Sequence, residues 1–359
     1  MDPNTKLTMT THTLWYTRCP VPTASGIAFQ REMFGELFDG TRYAVRNIRE
    51  LEKSHWDTHF DHSLDMSFRE GGGSPPIWAR SNGAATRLLG ITFMEEVLGV
   101  YVRTDDPART MHDLGGRRCA LPVWPKLVFN FFRFAAEKGF RSALDVHDMN
   151  ERDVKFVDIV ESDEPHDIIN SEFASGQARD ARSYYHDQLV ALLDGRVDAI
   201  FAKGGEVAQL EREAQGRIRR LYDIASSPRL ADRVNNSTPR LLTVSESLVC
   251  DHPEAVVRYV QTLVRAAQWG LAHPNEAAQA IAMEAGIAAA DIGTCFESQY
   301  PAKLMPGLDG HLLEALGVMK SFLLQRGYVK RDFSVDDWMA PDFLADALVR
   351  EEHARTSIA

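Results

Sequence analysis

The chain is poor in cysteine. Four residues in 359, Cys19, Cys119, Cys250 and Cys295, stand far apart. None forms a C-x-x-C pair or sits at zinc-finger spacing from histidines, which excludes a disulfide scaffold and the common thiolate metal sites. Reduced thiols in a cytoplasm are the expected state. No run reaches the ~18 apolar residues of a membrane span. The N-terminus, MDPNTKLTMTTHTLWYT, has no basic segment, no long apolar core and no A-x-A site. No secretory signal is read there, and a cytoplasmic location is expected. An excess of positive charge is also missing. A formal net charge of −11 argues against nucleic acid or an anionic membrane as partner.

What is present is ordinary globular composition, 44% apolar and 25% charged, with enough chain for a large core. Strand-like and helix-like segments alternate. Leu7–Thr17, Arg42–Val45, Leu88–Phe93, Gly99–Val102, Arg118–Leu121, Val154–Val160, Ile218–Ile224 and Leu241–Val244 read as strands. Thr23–Phe38, Pro125–Lys138 and Tyr184–Leu193 read as helices, and the chain beyond Asp251, the expected N-cap of the next helix, is nearly all helical. In "DGRVDAIF" (Asp194–Phe201) a helix stops at glycine and a strand follows. Such alternation predicts an α/β protein with mostly parallel sheets flanked by helices. The pattern restarts near residue 103, so two lobes are expected: 1–102 with 245–359, and an inserted 103–244. Ligands of such folds sit in the crevice at the carboxyl ends of strands.

Cys19 stands at such a strand end, in "YTRCPVP". A lone cysteine can be a small buried hydrophobe. Here Pro20 and Pro22 stiffen the exit, and a helix starting soon after would lower a thiol pKa. The second candidate stretch is "HFDHSLDMSFREGGGSPP" (His59–Pro76). It reads as an irregular, Gly-rich loop, whose backbone N–H groups could form an anion-binding nest with Arg69 as a forked cation. His59 and His62 could flank a site or be surface imidazoles, and the pair is poor in metal-ligand partners, so no metal is expected. Cys119, Cys250 and Cys295 read as structural, and the "EREAQGRIRR" charges as solvated.

Three blocks together resemble the aryl-sulfinate desulfinase family, whose type member acts on 2'-hydroxybiphenyl-2-sulfinate. They are Tyr16–Pro22, then His59-Phe60 through Arg69-x-Gly71-Gly72-x-x-Pro75-Pro76, and "TRLLGIT" at Thr86–Thr92. "VRTDDP…DLGGRR", "DGRVDAIF" and "DDWMAPDFL" keep the same order, so the resemblance spans nearly the whole chain. The wider signals are similar to the type II periplasmic-binding-protein fold of sulfonate and nitrate binders. The resemblance implies that Cys19 carries the reaction, that His59 partners it, and that Arg69 with the Gly72 N–H holds the sulfinate, with Phe60 beside them. No organic cofactor is implied. A monomer is expected, though the sequence does not set the oligomeric state.

The implied chemistry is cleavage of an aryl C–S bond with release of sulfite, a hydrolase reaction. Either the thiol gives a proton to the ring carbon, or a thiolate attacks sulfur and water cleaves the adduct. The alternative function is a non-catalytic binder of a small sulfonate or sulfinate; such a binder needs the anion clamp but no thiol. A third, a pyrimidine synthase on the same fold, would need a cysteine-rich motif that this chain lacks. The sequence departs from the type member where "AKGGEV" (Ala202–Val207) replaces a tryptophan-bearing stretch and His62 replaces a tyrosine. The aryl pocket is therefore expected to be rebuilt, with Trp124 or Phe129 as candidate fillers.

Overall fold

The structure is a computed structural model in which residues 12–17, 19–162 and 183–356 are described. The expected strand start at residues 7–11 and Arg18 lie outside them. Two five-stranded arrangements form the frame. In the first, β1 (His12–Thr17) lies between β2 (Tyr43–Asn47) and β3 (Ser67–Gly72), parallel to both. Beyond β3 the strand β10 (Arg240–Ser245) runs antiparallel, and β4 (Thr86–Thr92) pairs with its far side. In the second, β5 (Leu98–Arg103) pairs antiparallel with β8 (Ile200–Lys203) and β9 (Ile218–Asp223). The parallel pair β6 (Arg118–Val123) and β7 (Lys155–Val160) joins β8 through the Cys119–Ala199 bridge and the Ala120 N–H to Ala199 carbonyl bond of 3.0 Å.

The two sheets repeat one plan, β2-β1-β3-β10-β4 and β7-β6-β8-β5-β9, each with one strand supplied across the cleft. β5 enters the second lobe and β10 returns to the first. These two antiparallel strands make the sheets mixed, where mostly parallel pairing was expected. β5 spans the expected limit at residue 102 and pairs wholly in the second sheet.

Alternation along the strands builds the layers, since successive side chains point to opposite faces. Leu242 and Val244 face one core, with Phe68 stacked on Tyr259 (ring centroids 3.7 Å) of the helix Pro253–Ala272. Leu241 faces the other, against Leu312, Leu316 and Met319 of the helix Gly310–Gln325. The helical tail grips both lobes. Arg326 and Tyr328 bond the two oxygens of Glu137 (2.9 and 2.7 Å) on the second-lobe helix Phe131–Val146. Phe134 packs edge-on against Phe322 and Tyr328.

Three local expectations change. The helix expected over Thr23–Phe38 is two helices, Ala24–Gln30 and Met33–Phe38, parted where Glu32 takes a left-handed φ of 58°. Cys250 lies inside the helix Glu246–Asp251, and the N-cap position of the next helix is held by His252, without a side-chain cap and with Pro253 at its first position, not by Asp251. Most consequential, the stretch expected to be a loop contains β3, fully buried, with Arg69 and Gly72 in it.

Candidate active site

β1 and β3 end side by side, and the chain emerging from each enters the cleft. Cys19 lies two residues beyond β1 and is 7% exposed. On β3, residues 69 and 71 share one face and 70 and 72 the other, so neighbouring residues do different work. Glu70 turns away and accepts the Ser25 N–H (2.8 Å) at the start of the helix Ala24–Gln30. Gly71 faces the thiol. A Cβ built there would lie 2.5 Å from Cys19 Sγ and 3.7 Å from Arg69 Nη2. The sulfur and the guanidinium are therefore neighbours, no further apart than those two distances end to end. Gly72 backs onto Asn236, where a Cβ would lie 2.8 Å from Nδ2. The glycines are thus required by close approach within an extended strand, not by the loop nest expected from the sequence.

Arg69 is 1% exposed. Its Nε donates to the His59 carbonyl at 2.6 Å, while Nη1 is buried without a hydrogen-bond partner. Burial brings its pKa down to about 10, still above neutrality. Among the described residues it forms no ion pair. A buried guanidinium with an unused donor is chemically suited to receive an anion. The same charge, after the larger effect of burial, helps push His62 down to about 3. His62 is therefore neutral at working pH. It bonds Thr243 Oγ1 through Nε2 (2.8 Å), behind the clamp and not in the pocket lining.

His59 lines the pocket, its Nδ1 held 3.1 Å from Thr17 Oγ1 and its ring edge-on to Phe60. Burial pushes the Cys19 thiol up, and this outweighs the opposing pull of Arg69, a bond from the Gly72 N–H, and the charges of Lys203 and Arg240. The helix start expected to act on the thiol is instead engaged by Glu70, which accepts the Ser25 N–H. The resting form is the thiol.

One narrow pocket thus brings together Cys19, His59, Phe60, Arg69 and Gly72. The second lobe supplies the facing wall: Phe131, Phe132, Tyr184, Lys203 and Glu206, with Asn236 and Ser237 from the returning crossover. Phe60 stacks on Phe131 (5.6 Å). The sequence candidates for this wall are corrected. Trp124 stands behind it, stacked on Phe132 at 5.2 Å, and Phe129 packs on Trp78 in a different cluster. Asn236 was not anticipated. Its Oδ1 is taken by Ser74 Oγ, which turns Nδ2 toward Gly72. The one signal for Lys203 and Glu206 was a charged pair around Gly204-Gly205 at a strand-to-helix junction. Cys119 and Cys295 are buried and structural, their thiols pushed up to about 12 and about 11 chiefly by burial.

Comparison with known proteins bears on this site. No family profile matches the chain. The chain is 26% identical over 363 residues to 2'-hydroxybiphenyl-2-sulfinate desulfinases of Rhodococcus erythropolis and Rhodococcus qingshengii, covering 94% of each chain. Its fold is similar to that of the desulfurization enzyme DszB, solved as such and as a cysteine-to-serine mutant in complex with biphenyl-2-sulfinic acid. For both structures the TM-score is 0.71 at 23% identity, over 94% of this chain and 99% of that one. The sulfonate-binding protein SsuA from Methylobacillus flagellatus shares the fold at TM-score 0.68 and 14% identity, over 96% of both chains. The two-lobed, periplasmic-binding-protein-like architecture expected from the sequence is thereby established.

Proposed function

We propose that this chain, which belongs with the 2'-hydroxybiphenyl-2-sulfinate desulfinases, is a cofactor-independent aryl-sulfinate desulfinase of hydrolase type with Cys19 as its reactive thiol. The observation that carries the reading is the packing of a buried thiol against Gly71 beside a buried guanidinium that lacks a counter-ion. A binder needs only the second of these.

The sulfinate oxygens would be held by Arg69 Nη1, the Gly72 N–H and Asn236 Nδ2, with the ring against Phe60 and Phe131. The raised thiol pKa favours proton donation over attack by a resting thiolate. Cys19 S–H protonates the ring carbon, the C–S bond electrons form the new C–H bond, and sulfur leaves as sulfur dioxide. Water adds to it to give hydrogen sulfite and a proton, which restores the thiol. The sum is ArSO₂⁻ + H₂O → ArH + HSO₃⁻. His59, oriented by Thr17 and lining the same pocket, would carry that proton back to the sulfur. The free thiols suit a reducing compartment.

Sulfite release from 2'-hydroxybiphenyl-2-sulfinate and simpler aryl sulfinates tests the reading, and its pH dependence tests the chemistry. A thiol donor predicts a kcat that stays within about threefold between about pH 7 and 9 and falls only above the raised thiol pKa. A thiolate nucleophile would instead gain about tenfold per pH unit across that window. Binding without sulfite from any aryl sulfinate would return the chain to the solute-binding reading.

A further inference from the structure

The second-lobe wall of the pocket, which faces the aryl end of the proposed substrate, carries a charged pair among its aromatic residues. Lys203 closes β8, the counterpart in the second sheet of the strand that carries Arg69. Glu206 opens the helix that follows, so the two lobes present equivalent strand ends to each other across the pocket. Lys203 is 2% exposed. Its ammonium is 3.0 Å from Ser237 Oγ, but its two carboxylates, on Glu96 and Glu206, stand at 3.6 and 3.8 Å, beyond ordinary hydrogen-bond reach. A lysine has three N–H donors, so this one keeps capacity for a ligand. Glu206 is half-buried on the same wall and supplies an acceptor.

Charge balance narrows what the wall can take. Around the pocket floor Lys203 and Arg240 are matched by Glu96 and Glu206, with Arg240 on Glu96 at 3.2 Å. Glu70 is engaged by the Ser25 N–H. Glu70 points to the face of β3 opposite Arg69, so among the described residues Arg69 is the cation lining the pocket that has no carboxylate in ion-pair contact, and one sulfinate would answer it. A second anionic group at the far end would find no uncompensated cation, and burying it would be costly. A bare hydrocarbon there would leave the donor and the acceptor desolvated and unpaired.

We propose that Lys203 and Glu206 form a donor–acceptor subsite opposite the sulfinate clamp, selecting aryl sulfinates that carry a neutral group able both to accept and to donate, such as a ring hydroxyl or carboxamide. This rests on the desulfinase reading for the sulfinate end. The test is calorimetric binding to the Cys19→Ser protein, which does not depend on turnover. Probes are benzenesulfinates bearing methyl, hydroxyl, carboxamide or carboxylate groups, together with biphenyl-2-sulfinate and its 2'-hydroxy derivative. Hydroxyl or carboxamide compounds are expected to bind at least tenfold tighter than their methyl counterparts, and carboxylates more weakly than either. Lys203→Met and Glu206→Gln should each bring the polar-to-methyl ratio toward one while melting as cooperatively as the parent. If Lys203→Met fails to fold, Glu206→Gln decides alone. Equal affinities in the parent, or a preference that survives substitution, overturn the subsite. A preference in binding with no sulfite from the wild-type chain overturns the desulfinase reading and leaves the subsite standing.

Discussion

Cys19→Ser is expected to lower sulfite release from aryl sulfinates by ~10³-fold or more, while aryl-sulfinate affinity changes less than about tenfold. The first half follows from acidity. A serine hydroxyl is a far weaker acid than a thiol, even one pushed up by burial, and proton delivery to carbon is the step that breaks the C–S bond. The second half follows from geometry. Arg69, the Gly72 N–H and Asn236 Nδ2 do not depend on the sulfur for their positions: Arg69 is anchored on the His59 carbonyl and Asn236 on Ser74. Serine is smaller than cysteine at a site where Gly71 already leaves the minimum room, so the fold and its melting midpoint should hold. Sulfite assayed under single-turnover conditions, with calorimetry on the same protein, checks both halves. Turnover within tenfold of the parent would remove Cys19 from the reaction. Loss of binding in parallel with turnover would make it a packing residue of the clamp.

The first-lobe candidates lie close together in the sequence: Cys19, with the prolines after it, marks where β1 ends, and His59, Phe60, Arg69 and Gly72, implied by the family resemblance, fall within one short stretch that the structure brings to the same pocket. What could not be read was the form of that stretch. Arg-Glu-Gly-Gly is poor strand sequence, yet it occupies the strand between β1 and β10. Each residue there answers to a neighbour rather than to propensity: Arg69 to the His59 carbonyl, Glu70 to Ser25, Gly71 to the thiol, Gly72 to Asn236. Local rules fail most readily at functional positions of this kind. The second-lobe wall was illegible for a different reason. Phe131, Tyr184, Lys203 and Asn236 come from four separate segments, and only the closure of two sheets on a shared cleft puts them together. Trp124 was a reasonable candidate by residue type, but the stack of Phe132 in front of it sets it one layer back.

Arg69→Lys is expected to cost ~10²–10³-fold in kcat/KM, although it keeps the charge. In the proposed role the guanidinium does two things at once: its Nε fixes the carbonyl of His59, while its Nη1, buried without a hydrogen-bond partner, is the donor left for the sulfinate. A lysine ammonium is a single point of charge on a flexible stem and cannot hold a backbone carbonyl and a sulfinate oxygen in the fixed fork of a guanidinium. Left in a site that is 1% exposed, it would also meet a desolvation penalty that an ammonium bears less well than the more weakly hydrated guanidinium. The deficit should fall on both parameters, KM because the anion is held by fewer bonds and kcat because the His59 segment loses its anchor. Arg69→Ala with added methylguanidine separates ligand binding from a purely structural role. Recovery of sulfite release that saturates with methylguanidine is expected. Stability restored without activity would place Arg69 in the framework, and a Lys variant with parental kcat/KM would mean that charge alone, without the fork, holds the sulfinate.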